Sequence, residues 1–248
     1  MNKNGEKVNR MQLKENERCL IDFQREKLGS GPLAFNTCVL ADRRDRVQRA
    51  TERTATREAK KCDSLDELPL FAYTDAATVN AAATAGARAL MHKILGGPPA
   101  IDADLFTKAG EKAAAACQLE TLKRADKLEN TVVKEINRAK KSALKDDAVS
   151  SAAALETDLA AVFLSNDRIG RVEDRLVQGV DRKCADLPIT TGTLFPGSCG
   201  LGNPTLSQVE DCVIAAARCE ACLKINAFDA LNLNCDQADD HIPNASCE

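Results

Sequence analysis

Cys219-Glu-Ala-Cys222 has the clearest chemical precedent in this chain: two thiols at this spacing suit a thioredoxin-type redox pair or half a zinc knuckle. Each chemistry needs surroundings that the sequence lacks. No strand–helix alternation flanks the pair, no second CxxC or HxxxH supplies further zinc ligands, and no His follows Cys222 for haem attachment. The remaining reading is one helix offering two cysteines to different disulfides. Only His92 and His241 could serve as imidazole bases. A nucleophile needs its base held beside it, and His92 sits among Leu90, Met91 and Ile94 in an alanine-rich stretch. A helical di-iron site needs Glu three residues before His, where Ala89 stands. Gly197 to Gly202 is glycine-rich but follows no strand pattern, unlike a phosphate cradle. No catalytic residue is assigned, and a non-enzymatic role is expected.

The last loop is the best candidate for a ligand site. Asp236, Asp239, Asp240 and Asn244 place four hard oxygen donors within nine residues, between Cys235 and Cys247. Calcium takes six to eight such oxygens, with carbonyls or water completing the shell. The loop departs from an EF-hand, because Ala238 stands at the third position and His241 replaces the turn glycine. Two readings stay open: a calcium site, or an acidic surface loop whose charges are offset by the backbone amides of its own turn. Asn244-Ala-Ser246 also matches a glycosylation sequon.

Composition limits the rest. Aromatic residues are 3% of the 248, with no Trp and one Tyr, so the core must be assembled from Leu, Val, Ile and Ala. Such side chains bury little area each, and covalent cross-links gain importance. The 34 basic and 37 acidic residues are interspersed, giving a net charge of −3. No footprint for nucleic acid is evident, and no apolar run is long enough for a membrane span. Six of the eleven cysteines lie from Cys199 onward, which favours an oxidising compartment. The start, Met1 to Lys7, shows no apolar signal segment. The cysteines weigh more, so an extracellular or periplasmic location is expected, the visible start being misassigned or processed.

Helical spacing runs throughout and strand-like alternation is essentially absent, so the fold is expected to be all-α. One helix is expected from about Gly5 to Lys27, and a second from about Pro32 to Lys61 with an inward stripe of Val47, Thr51, Ala55, Ala59 and Cys62. An alanine-rich helix capped by Thr74 or Asp75 follows, and then one from Asp102 to about Lys145. Further helices are expected from near Val149, from Asn166 to Cys184, and after a capping box at Thr205–Gln208. Asp45-Arg-Val-Gln-Arg49 matches Asp167-Arg-Ile-Gly-Arg171, and the offset holds through Arg53/Arg175, Lys61/Lys183 and Cys62/Cys184. This suggests two related helical hairpin units, 1–100 and 101–190, followed by a disulfide-rich helical subdomain, 191–248.

The tail carries Cys-Val-x5-Cys-x2-Cys-Leu from Cys212, then Asn226-Ala-x-Asp-x-Leu, then Cys-Asp-x2-Asp-Asp-x3-Asn-x-Ser-Cys ending at Cys247. In these motifs, and in the Phe-Pro-Gly-x-Cys and Tyr-Thr-Asp-Ala-Ala segments before them, it resembles a family of Cys-rich, Ala/Lys-rich secreted bacterial proteins of myxobacterial and related genomes. Those proteins tend to carry Gly in place of His241 and an additional cysteine in the second repeat. The resemblance implies export and an all-α fold, and supplies no activity.

The expected disulfide framework joins Cys19 to Cys38 across the break at Gly29–Gly31, and repeat-equivalent Cys62 to Cys184. Three bonds would form within the tail set Cys199, Cys212, Cys219, Cys222, Cys235 and Cys247, leaving Cys117 as a buried thiol. The expected role is structural, or interaction with a protein partner or a second copy through small-residue helix stripes. The alternative is a calcium-dependent binding module.

Overall fold

The computed structural model describes residues 2–29, 34–62, 71–98, 105–145, 149–242 and 246–247. Within them lie α1 (Asn2–Gln24), α2 (Ala34–Ala41), α3 (Arg46–Lys61), α4 (Ala76–Leu95), α5 (Lys112–Lys145), α6 (Ala152–Leu164) and α7 (Asp167–Cys184). Then follow α8 (Thr191–Leu194), a 3-10 turn at Ser198–Gly200, α9 (Leu206–Asp229) and α10 (Cys235–Asp240). The fold is all-α.

Local chemistry explains most helix starts. Asp75 accepts from the Thr78 amide, Ser151 from Ala154, and Asn166 from Arg168 and Ile169. Each satisfies amides that a helix start leaves without partners. Thr205 and Gln208 form the reciprocal capping box of α9. Two expected helices are shorter than their periodicity implied. The second is split, because the Asp42 carboxylate accepts from the Arg46 and Gln48 amides at 3.0 and 2.8 Å and so starts α3 afresh. Such side-chain bonds compete with helix continuation. The helix expected from Asp102 begins at Lys112, because Gln118 and the end of α1 capture the preceding backbone. The Phe106 amide donates to Gln118 Oε1 and the Lys108 amide to the Gln24 carbonyl.

Four helices form a central bundle. Asn9 on α1 meets Lys224 on α9, Asn16 on α1 meets the Ala87 carbonyl on α4, and Gln24 reaches Ala115 on α5. Together with Gly5 lying against Val79 and Phe228, and Glu17 beside Asp126, these bonds make α1 parallel to α4 and antiparallel to α5 and α9. Around the square the order is α1, α4, α9, α5. Ala83, Gly86 and Ala87 let α4 approach its neighbours closely, so this alanine-rich stripe is buried inside the chain. The outer helix α3 packs on α1 and α4, and α7 packs on α5 and α9, on the opposite flank. Helix α9, which the sequence reading assigns to a tail subdomain, is thus the fourth bundle helix. The buried face of α3 is Val47, Ala50 and Thr54, so that of the expected stripe only Val47 lies on it. Ala55 and Ala59 are exposed, and Thr54 tolerates burial by donating to the Ala50 carbonyl at 3.1 Å.

Five disulfides lock this arrangement: Cys19–Cys38, Cys117–Cys184, Cys199–Cys212, Cys219–Cys247 and Cys222–Cys235. The expected Cys62–Cys184 bond and free Cys117 are corrected. Cys62 and Cys184 end helices on opposite flanks, too far round the bundle to meet. Antiparallel packing instead brings the start of α5 to the end of α7, with Cys117 and Cys184 Cα atoms 5.2 Å apart. Half-buried Cys62 is the free cysteine. Alkylation of the native protein should label Cys62 alone. Replacing Cys117 and Cys184 by Ser should cost on the order of 4 kcal/mol in chemical denaturation, because their bond closes a long loop.

Candidate functional site

In the tail loop, the described acids are engaged by the loop's own donors. The Ser246 amide donates to Asp236 Oδ1 at 2.6 Å, and its hydroxyl to Asp239 Oδ2 at 2.7 Å. The Asp240 amide donates to Asp239 Oδ1 at 2.6 Å, and the Ile242 amide to Asp240 Oδ1 at 2.8 Å. Asn244 lies outside the described residues. Asp236, Asp239 and Asp240 do not converge as a metal-holding triad among the described residues. Burial, with Asp240 and Asp236 nearby, raises the Asp239 pKa against these hydrogen bonds. His241 adopts φ 71°, a left-handed conformation that favours glycine, and its Nε2 lies 2.9 Å from Arg218. Arg218 also donates to Glu173 on α7 at 2.6 Å, so the ring is tied to the bundle flank.

The other sequence candidates are also absorbed into the frame. Cys219 and Cys222 point to different partners, Cys247 and Cys235, and hold no exchangeable thiol pair. His92 is partly buried in α4, where desolvation and then Arg88 lower its pKa. Glu15, Cys19 and Cys38 place three donor atoms within 4.8 Å, but both sulfurs belong to one disulfide and are not thiolate ligands. Among the described residues no helix is long and apolar enough to cross a membrane.

Two features escaped the sequence reading. The first is a polar cluster inside the bundle. Lys224, 2% exposed, pairs with fully buried Glu129 on α5 and donates to Asn9 Oδ1 at 3.1 Å. Desolvation pushes the Lys224 pKa well down, opposed by Asp126. Asp126 goes well up, through burial first and the Glu17 charge second. The Glu17 pKa is raised as well, chiefly by its own burial. Gly86 makes room for the lysine, since a Cβ there would lie 2.9 Å from its Cε.

The second feature is a cationic groove of about 790 Å³ between the start of α1 and the end of α3. Among the described residues Lys3, Lys7, Arg53, Arg57, Lys60 and Lys61 line it, with Asn4 and Thr56 and no acidic residue. A smaller groove between α5 and α7, about 370 Å³, is also basic, but Glu135 sits in it and pairs with Arg138 and Arg168 at 2.8 and 3.0 Å. Comparison with family models, curated proteins and solved structures finds no match.

The hydrogen-bonded tail loop predicts that calcium and chelator give equal melting temperatures. A calcium-dependent rise in the wild type that is lost in Asp240→Ala would establish the metal site instead, because an ion bound only to the folded state stabilises it.

Proposed function

We propose that this chain is a disulfide-braced interaction protein of the cell surface or extracellular space, with a binding rather than a catalytic role. The observation that carries this reading is the covalent frame. Ten cysteines are committed to five disulfides, three of which fasten α9 to segments before and after it. Such density is the habit of proteins that fold under oxidising conditions, and the tail's resemblance to secreted proteins points the same way. The groups best suited to chemistry serve the frame: the CxxC cysteines are bridged separately, and His241 packs against Arg218.

A rigid frame suits recognition, because a preorganised surface loses less conformational freedom on binding. The outer helices α3 and α7 offer a partner charged grooves. The small-residue stripe of α4, attractive in sequence as a self-association face, is covered by α1 and α9, so a partner is sought on the outer helices α3 and α7. Fractionation of producing cells should recover the protein outside the cytoplasm, with five disulfides and one thiol by intact mass. A reduced cytoplasmic pool as the main form would contradict the proposal.

A further inference from the structure

We infer that the groove between α1 and α3 binds a linear anionic polysaccharide. The inference names a partner class for the proposed interaction role, and rests on that role only for the extracellular setting in which such a polymer is met.

Three observations carry it. The charge is uncompensated where it matters: among the described residues Lys3, Lys7, Arg53, Arg57 and Lys61 have no carboxylate partner. The acids of α3 are turned to other tasks. Glu58 accepts from the Tyr73 hydroxyl at 3.0 Å and the Ala76 amide at 2.9 Å, and Glu52 from Gln48 at 2.9 Å.

The cations also form two facing rows. Arg53, Arg57 and Lys61 are four residues apart on α3, and Lys3 and Lys7 are four apart on antiparallel α1. Successive charges in each row therefore lie about 6 Å apart along the helix, a regular spacing suited to a polymer with a charge on each sugar unit. Arginine forks engage carboxylate or sulfate oxygens in pairs, and lysines act as point charges.

The lining further favours sugar over other polyanions. Asn4 can meet ring hydroxyls, as can Thr56, whose own proton goes to the Glu52 carbonyl at 2.8 Å. Among the described residues no aromatic side chain lines the groove, so bases would find no stacking platform there of the kind single-stranded nucleic acids use. No apolar side chain among the described residues lines it either, and its surface is concave, unlike the apolar face with which an interfacial helix enters a bilayer.

The test uses the disulfide-intact protein, with heparin as the sulfated and polygalacturonate as the carboxylated polymer. Neutral dextran is the blank; a single-stranded oligonucleotide and anionic vesicles represent the other polyanions. Binding of either polysaccharide is expected, weakening steeply with salt, and whichever binds tighter identifies the preferred anion. Arg53→Glu with Arg57→Glu should weaken it at least about tenfold through loss of two charge-assisted contacts, with an unchanged melting temperature. Lys3→Glu with Lys7→Glu, on the facing helix, should do the same. Arg171→Glu with Arg175→Glu, in the opposite groove, should leave affinity within about twofold. No binding above dextran, equal loss in the opposite-groove variant, or tighter binding to the oligonucleotide or the vesicles would overturn the inference. None of those outcomes would alter the cellular fractionation, which tests the compartment and covalent state separately.

Discussion

A lysine ammonium held inside a helical bundle is the constraint around which this structure is arranged. Lys224 is taken out of water by all four central helices: it grows from α9, pairs with Glu129 of α5, bonds Asn9 of α1, and lies against Gly86 of α4. An uncompensated buried charge is costly, so the pair holds only if all four helices keep their register. Burial first and the Glu17 charge second push the pKa of the adjoining Asp126 well up. Buried ion pairs specify an arrangement more readily than they stabilise it. A core this poor in aromatics, where aliphatic and alanine side chains could slide past one another, gains from that specificity. Lys140 and Asp229, 2.6 Å apart with Asp229 fully buried, repeat the α5–α9 link further along.

The disulfides complement that arrangement from outside. Cys19–Cys38 holds α2 on α1, Cys117–Cys184 holds α7 on α5, and the remaining three gather the tail around α9. The covalent bonds thus brace the flanks and ends, while the ion pairs fix the centre. That division leaves the outer faces of α3 and α7 available to carry charge, and their segregated cations are invisible in a net charge of −3.

Much of the fold was legible in the sequence because it is written locally. The caps Asp75 and Thr205 act where expected, the helix expected from Asn166 starts there, and α5 buries Leu122, Ala125, Val132 and Ile136 as its spacing implies. Cys19 and Cys38 meet because α2 packs back on α1. The misses are tertiary. The end of α3 lies beside the start of α1, and that of α7 beside the start of α5, so Cys62 and Cys184 diverge although their sequences match. Beyond Val47 the buried positions of α3 fall one residue before the expected Thr51 and Ala55, because alanines and threonines fit either face of a highly charged helix. Lys224 could have been noticed: it shares a helical stripe with Ala217, Ala221 and Phe228, as Glu129 does with Leu122, Ala125 and Ile136. Opposite charges at core positions of two helices signal a buried pair only once those helices are known to face each other. The cationic groove needed the same knowledge, since its two rows come from helices separated in sequence.

The most direct test of this account is a double-mutant cycle on the central pair, read by chemical denaturation of the oxidised protein. Lys224→Met and Glu129→Leu should each cost about 3–5 kcal/mol, because each strands the other charge in the core. The double variant should be more stable than either single one, with a coupling on the order of 2–3 kcal/mol. Single variants costing under about 1 kcal/mol, or losses that simply add, would show that the pair does not organise the bundle.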